Sequence, residues 1–310
     1  MPQDPNTLRQ AKIDMATALL ACGIDPVRSV LFEQSRVRAH AELAWIFNCI
    51  TPVGWLGRMT QWKSKMAAKS VPTEDFSVNQ LENHTNKEGL KMGLFDYPVL
   101  QAADILLYKG TLVPVGEDQM QHLELARDIA GAFNKLFCSS STKTKGKKKA
   151  IFPKPEAIVP PSAKRVMSLR DPSCKMSKSD PSDYSRLNLI DSPDLIRNKI
   201  GKATTDGIRG VTYDPVNRPG VSNLLSIYAA MRDIEIDEAI KECSDITSTK
   251  AFKERVSDAV IDRLHPIQSE LVRLQADQGY VKQVLDQGAV KANEVANATM
   301  EEVYKAVGLR

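Results

Sequence analysis

The fold of this chain is constrained most by one short stretch in which an apolar run feeds a glycine turn and then a helix. Thr111-Leu112-Val113-Pro114-Val115 is rich in strand formers; Gly110 separates it from a helical pattern before it, and Gly116 turns it into another after it. The preceding pattern covers residues 99–108 and is opened by Pro98, a residue suited to a helix start because its missing N–H would be unpaired there anyway. Nearer the N-terminus, Asp4-Pro5 offers a cap and a first-turn proline, and Leu8, Ala11, Met15, Leu19 and Cys22 form an apolar stripe until Gly23 stops it. Ser29-Val30-Leu31-Phe32 reads as a short strand and residues 40–49 as the next helix. Strands alternating with helices predict an α/β fold: a doubly wound parallel sheet of the Rossmann type, whose ligand lies beyond the carboxyl ends of the strands.

From about Asp191 the pattern is helical throughout, with helices expected at 193–201, 221–232, 236–243, 251–276, 280–287 and 291–307. This predicts two domains, residues 1–190 and a separate helical bundle over 191–310, a division that suits 310 residues with 42% hydrophobic content. Two polar stretches, 67–92 and the lysine-rich 139–149, read as insertions in loops. The formal charge of +4 is too mild to argue for nucleic acid by itself. Five scattered cysteines without a Cys-x-x-Cys pair fit a reducing compartment without structural zinc. No apolar run approaches the roughly 18 to 20 residues needed to span a bilayer, and no secretory or Arg-rich leader is visible, so no membrane role is expected.

Three groups of residues carry chemistry. Lys175-Met176-Ser177-Lys178-Ser179 lies between Pro172 and Pro181, which marks a loop bearing two ammonium groups. Gly116-Glu117-Asp118 follows the best strand without a Walker lysine or a glycine-rich cradle; carboxylates receive ribose hydroxyls better than phosphates, although the same acids could simply complement a helix dipole, worth about 0.3–1 kcal/mol each. Asp104 falls on the apolar face of its helix with Leu100, Leu107 and Tyr108, where a carboxylate needs a partner, from a neighbouring tyrosine, a backbone amide or a ligand. His40 and His265 have no second ligand or nucleophile at useful spacing and read as structural or surface residues; His122 reads as a helix-start residue. Trp45, Trp55 and Trp62 read as packing residues.

Together these strings resemble one family. KMSKS is the second signature of class I aminoacyl-tRNA synthetases, and Tyr97-Pro98-Val99-Leu100-Gln101-Ala102-Ala103-Asp104-Ile105-Leu106-Leu107 with Val113 to His122 resembles the tryptophan–tRNA ligases of the bacterial and mitochondrial branch. The likeness continues through Arg58-Met59-Thr60-Gln61-Trp62-Lys63, Pro219-Gly220-Val221-Ser222-Asn223-Leu224-Leu225 and Arg263-Leu264-His265-Pro266-Ile267. It implies that Lys175 and Lys178 act catalytically on the phosphates of ATP, that Gly116, Glu117, Asp118, Val166, Met176, Ser177 and Ser179 complete the ATP site with Val166 on the adenine, and that Asp104, Tyr97 and Gln101 bind tryptophan. An ionised carboxylate only accepts hydrogen bonds and an indole N–H only donates, so Asp104 would accept tryptophan and reject phenylalanine. The resemblance further implies ATP with Mg2+, tRNA(Trp) held at its anticodon arm by the helical domain, and a homodimer.

The family's first signature, a strand and Gly-rich helix start with a HIGH-like motif, has no match here. Met1-Pro2-Gln3-Asp4 falls where the family is already inside its nucleotide-binding domain, so roughly 30 residues or more are expected upstream. The missing strand would be central in a parallel sheet, and the chain made alone is expected to be poorly stable, with its activity left open. Two other readings stand beside the ligase: a non-catalytic tryptophan- or tRNA-binding protein that lost the HIGH half, and a tyrosine ligase of the same fold. The bacterial-type sequence with two polar insertions favours the mitochondrial matrix, with the cytoplasm as the alternative.

Overall fold

The computed structural model describes residues 4–67, 91–138, 150–159 and 166–310. The two expected insertions lie outside the described residues except for positions 67, 91 and 92. Helix α1 (Pro5–Ala21) is followed by α2 (Ala39–Asn48), α3 (Val53–Gly57), α4 (Thr60–Ala67), α5 (Met92–Leu106), strand β1 (Leu112–Pro114), α6 (Met120–Phe137) and β2 (Glu156–Ile158). Helices α7 (Pro193–Gly201), α8 (Pro219–Arg232), α9 (Ile236–Glu242), α10 (Thr249–Ala276) and α11 (Gln278–Val307) complete it. The chain packs as two compact units: one is Met1–Ser29 with Pro161–Gln283, the other Val30–Pro160 with Val284–Arg310. These units cut the chain elsewhere than the expected division at residue 190.

In the second unit, β1 and β2 pair in parallel, with Leu112 opposite Glu156, Val113 opposite Ala157 and Pro114 opposite Ile158. Parallel neighbours need a crossover, and α6 supplies it, so β1–α6–β2 is the described part of the expected sheet. Helix α6 packs on α5, and α5 on α2, around Leu43, Phe47, Val99, Leu106, Ile129 and Phe133, all fully buried. Phe47, Phe133 and Phe152 meet edge to face with centroids 4.9–6.1 Å apart. Asn134 of α6 fastens the segment that leads into β2: its Oδ1 accepts from Ile151 N and Phe152 N, and its Nδ2 donates to Phe152 O at 2.7 Å.

Several local expectations change. Ser29 to Phe32 is not a strand; the run instead passes over α11, where a Cβ built on Gly288 would stand 1.9 Å from Leu31 O. That approach explains a second difference, since 280–287 and 291–307 are one helix: Gly288 is a point of contact rather than a break. Pro98 does not open α5 but lies inside it; its missing N–H costs one bond to the turn before, while Phe95 and Pro98 themselves are buried. In α1 the stripe Leu8, Met15, Leu19 is exposed and the buried row is Ala16, Thr17, Leu20 and Ala21. Nor is the C-terminal region a self-contained bundle, because α11 from Val284 onward contributes Ala292, Ala296, Met300 and Val303 to the core of the second unit.

In the first unit α8 packs on α9 and α10, and α10 on α7 and α1. Its core is Leu169, Ile196, Ile200, Leu224, Leu225, Phe252 and Val256. Among the described residues no helix is long and apolar enough to cross a membrane.

Candidate active site

In the second unit, α5 presents Tyr97, Gln101 and Asp104 at helical spacing along one face, and Tyr108 follows in the turn just beyond its end. Asp104 has its partners: Gln34 Nε2 reaches both carboxylate oxygens at 2.7 and 2.8 Å, and His40 Nδ1 stands 2.7 Å from Oδ1. The carboxylate is not buried as expected, since 35% of the side chain remains exposed, so part of it faces outward. His40, by contrast, is buried, and its Nε2 lies 2.9 Å from the Tyr108 hydroxyl. Burial, and then the charge of Asp104, push the Tyr108 hydroxyl up to about 12, so it stays protonated and able to donate. The attachment of His40 to Asp104 carries no sequence signal, because the two lie 64 positions apart.

Two turns before Asp104, the Tyr97 hydroxyl donates to Gln61 Oε1 at 2.7 Å and lies 3.1 Å from His122 Nε2. His122 Nδ1 meets Gln119 Oε1 at 2.9 Å, and Gln119 Nε2 donates to Asp118 Oδ2 at 2.8 Å. A continuous polar path therefore runs from Tyr97 to the Gly116-Glu117-Asp118 turn. Burial lowers the His122 pKa, more than the nearby Asp118 raises it, and burial followed by Asp118 raises that of Tyr97. Val115 N donates to Ile158 O, so the turn begins directly beyond the carboxyl end of β1, where ligands of such sheets bind. A Cβ on Gly116 would stand 2.9 Å from Asp118 Oδ1; glycine leaves room for that carboxylate to fold back. Gln101 is half-buried on the same helix face.

In the first unit, residues 166–176 form a hairpin that leads into KMSKS. Ser168 N donates to Cys174 O, Met176 N to Val166 O, and Met167 bridges to Lys175. Met167 is held from its outer side by Asn223 of α8, whose Oδ1 accepts from Met167 N at 3.0 Å and whose Nδ2 donates to Met167 O at 2.8 Å. Ser177 and Ser179 hydroxyls lie 2.8 Å apart. On the exit side, Arg186 donates to Asp180 O and pairs with Asp183, which Lys199 grips together with Asp191 at 2.7 and 2.6 Å. Burial pulls the Lys199 ammonium down, but its bonds to Asp183 and Asp191 outweigh this and hold it above the ordinary lysine value. Lys175 and Lys178 are exposed and form no ion pair among the described residues. Val166, partly exposed, and Met167 border a cavity of about 380 Å³ walled by Asn223, Ile227 and Ile236.

Asp104, Tyr97, Gln101 and the Gly116-Glu117-Asp118 turn thus share one unit, and Val166 with KMSKS the other. Among the described residues no set of three or more His, Cys, Asp or Glu side chains is grouped to hold a metal ion.

Against known proteins, the sequence family described as tRNA synthetases class I (W and Y) matches residues 1–265. The tryptophan–tRNA ligase of Thermosynechococcus vestitus is 46% identical over 308 residues, covering 99% of this chain and 86% of its own length. The mitochondrial tryptophan–tRNA ligase of Dictyostelium discoideum is 44% identical, covering 98% of this chain and 74% of its own. The tryptophanyl-tRNA synthetase of Campylobacter jejuni, solved in complex with ADP and tryptophan, superposes with a TM-score of 0.74 at 30% identity over 99% of this chain and 85% of that one.

Proposed function

The chain belongs to the tryptophan–tRNA ligase family of class I aminoacyl-tRNA synthetases, and from that premise we propose how its residues divide the work of joining tryptophan to tRNA(Trp). Its fold is that family's: a Rossmann-type catalytic region with a helical C-terminal region. A carboxylate oxygen of tryptophan attacks the α-phosphate of ATP, the bond to the leaving pyrophosphate breaks, and tryptophanyl-adenylate forms. A hydroxyl of the terminal tRNA ribose then attacks the activated carbonyl and releases AMP. No protein nucleophile is needed; the chain supplies position and charge.

Asp104 accepts the indole N–H, with Tyr97 and Gln101 beside it, and phenylalanine, which has no side-chain donor, is rejected. The Gly116-Glu117-Asp118 turn receives the ribose hydroxyls and Val166 packs on the adenine. Lys175 and Lys178, with the backbone of Met176, Ser177 and Ser179, stabilise the charge that grows on pyrophosphate. Magnesium enters as the counter-ion of ATP. The helical region from residue 191 takes the anticodon arm of the tRNA, residues 1–190 carry the chemistry, and the enzyme acts as a homodimer in the mitochondrial matrix; the likeness to the Dictyostelium mitochondrial ligase supports that location.

One observation carries this reading: a complete KMSKS on a hairpin fastened at both ends, with two exposed lysines that no carboxylate neutralises among the described residues. The test is exchange of labelled pyrophosphate into ATP. Exchange should depend on tryptophan, and Lys178→Ala should lower its kcat by roughly 100- to 1,000-fold, as for loss of one preorganised charge-stabilising donor. Exchange that is indifferent to tryptophan or to Lys178 would contradict the assignment.

A further inference from the structure

We propose that His40 is a positioning residue that sets the tryptophan preference of Asp104 by locking its carboxylate in one orientation. The inference rests on the reading of Asp104 as the indole acceptor and extends it to a residue that would not touch the substrate.

The hydrogen-bond inventory of the carboxylate carries the proposal. Its two oxygens offer about four lone-pair positions. Oδ1 receives Gln34 Nε2 and His40 Nδ1, and Oδ2 receives Gln34 Nε2 alone. The capacity left over is therefore on Oδ2, on a side chain about one third exposed. A carboxylate accepts only, so Nδ1 of His40 is the protonated nitrogen facing it. In the neutral ring, Nε2 is then the acceptor, and the Tyr108 hydroxyl 2.9 Å away fills it. The acceptor-only carboxylate thus sets the tautomer, the Tyr108 hydroxyl caps the nitrogen on the far side of the ring, and the Nδ1 donor holds Oδ1. The ring itself packs in a three-ring cluster with Phe32 and Tyr108, with centroids 5.9 and 5.4 Å away.

Gln34 alone would not achieve this. One nitrogen shared by both oxygens is a pivot, and the terminal torsion of an aspartate is broad and roughly two-fold. Removing the His40 bond frees a lone pair on Oδ1 and lets the acceptor direction smear. A site that discriminates by one donor–acceptor match loses selectivity when the acceptor is no longer aimed. Gln34 lies in an exposed turn, Gln34–Arg36, whereas His40 sits in the core on α2, so the rigid member of the pair is the histidine.

The test compares calorimetric Kd values of the full chain for L-tryptophan and for its benzothiophene analogue, in which sulfur replaces the indole N–H. The unmodified chain should prefer tryptophan. His40→Leu keeps the bulk and removes the donor; it should cut the preference by roughly tenfold, as loss of an outer-shell partner does elsewhere, almost wholly through tryptophan. His40→Asn retains an amide N–H where Nδ1 stood and should restore the preference to within about threefold. Tyr108→Phe removes only the hydroxyl that caps His40 Nε2 and should lower the preference by about threefold, which keeps the test decisive if His40→Leu does not fold. Equal weakening of both ligands in His40→Leu, or no rescue by His40→Asn, would overturn the proposal and leave His40 as packing. Asp104→Ala separates the two levels: if it leaves the preference intact, the indole-acceptor reading itself falls. If it abolishes the preference while the His40 and Tyr108 variants keep it, only the role of His40 falls.

Discussion

Gly288 shows how little room a single residue can have. A Cβ there would meet Leu31 O at 1.9 Å and Leu31 C at 2.7 Å, and backbone atoms cannot swing aside as a side-chain tip can. Gly288→Ala should therefore destabilise the chain by about 1–3 kcal/mol, as overpacking of a tight contact does, visible as a lowered Tm. Gly54→Ala in α3, with nothing within 4 Å, is the control and should change Tm little. An unchanged Tm for Gly288→Ala would mean that residues 30–32 do not lie against α11. In sequence, residues 280–287 and 291–307 read as two helices, because a glycine between them suits a break as well as a close contact and only the passing chain tells the two apart. The histidines failed to announce themselves for a related reason: His40 and His122 are defined by partners on other elements, and no local pattern encodes those.

At the scale of elements, the KMSKS loop was legible because its chemistry is local to five residues, and the β1 turn because a strand, a glycine and a helix follow one another directly. What holds the loop was not legible. Asn223 is 56 positions from Met167, within a string noted only for its resemblance, yet it satisfies both backbone groups of the residue opposite Lys175. Asn223→Ala should release that edge and lower kcat for pyrophosphate exchange by about 10- to 100-fold, the scale of a small misplacement of a catalytic group. KM for tryptophan should be unchanged. A Tm loss with kcat intact would reduce Asn223 to a structural role. The strand expected at residues 29–32 has no ladder partner among the described residues, and the α1 stripe failed because the buried face lies one row over, a displacement that helical spacing alone does not fix.

Across the whole molecule, acid acts on the two units at different pH. The carboxylates held below their ordinary values lie in the first unit: Asp183 by Lys199, Asp206 by Arg218, Asp214 by the Asn217 amide and Asp245 by Arg255. Their folded pKa values are depressed, so their contribution is present above the ordinary carboxylate value of about 4 and is lost as pH falls through the lowered ones. His122 lies in the second unit, also depressed, by burial; its neutral form is favoured in the fold, so stability is full above the ordinary histidine value of about 6.5 and declines as pH falls from there toward the lowered value. Hydrogen exchange, corrected for intrinsic rates, should show α5 and the start of α6 loosening first, as pH falls below the ordinary histidine value of about 6.5. The region from the hairpin to α10 should follow only below about pH 4. Loss of protection at one common pH would contradict this division.

The α/β alternation, the C-terminal helices and the motif strings could all be read from the sequence, whereas the packing units could not, since α11 begins in one and ends in the other. The central claim, that this chain joins tryptophan to tRNA(Trp), is tested most directly by charging. Purified chain, ATP, magnesium and tRNA(Trp) transcript are incubated with labelled tryptophan or, separately, labelled tyrosine, and acid-precipitable label is counted. The account predicts label on tRNA(Trp) with tryptophan alone, abolished in Lys178→Ala. Label with tyrosine, or tryptophan bound but never transferred, would contradict it.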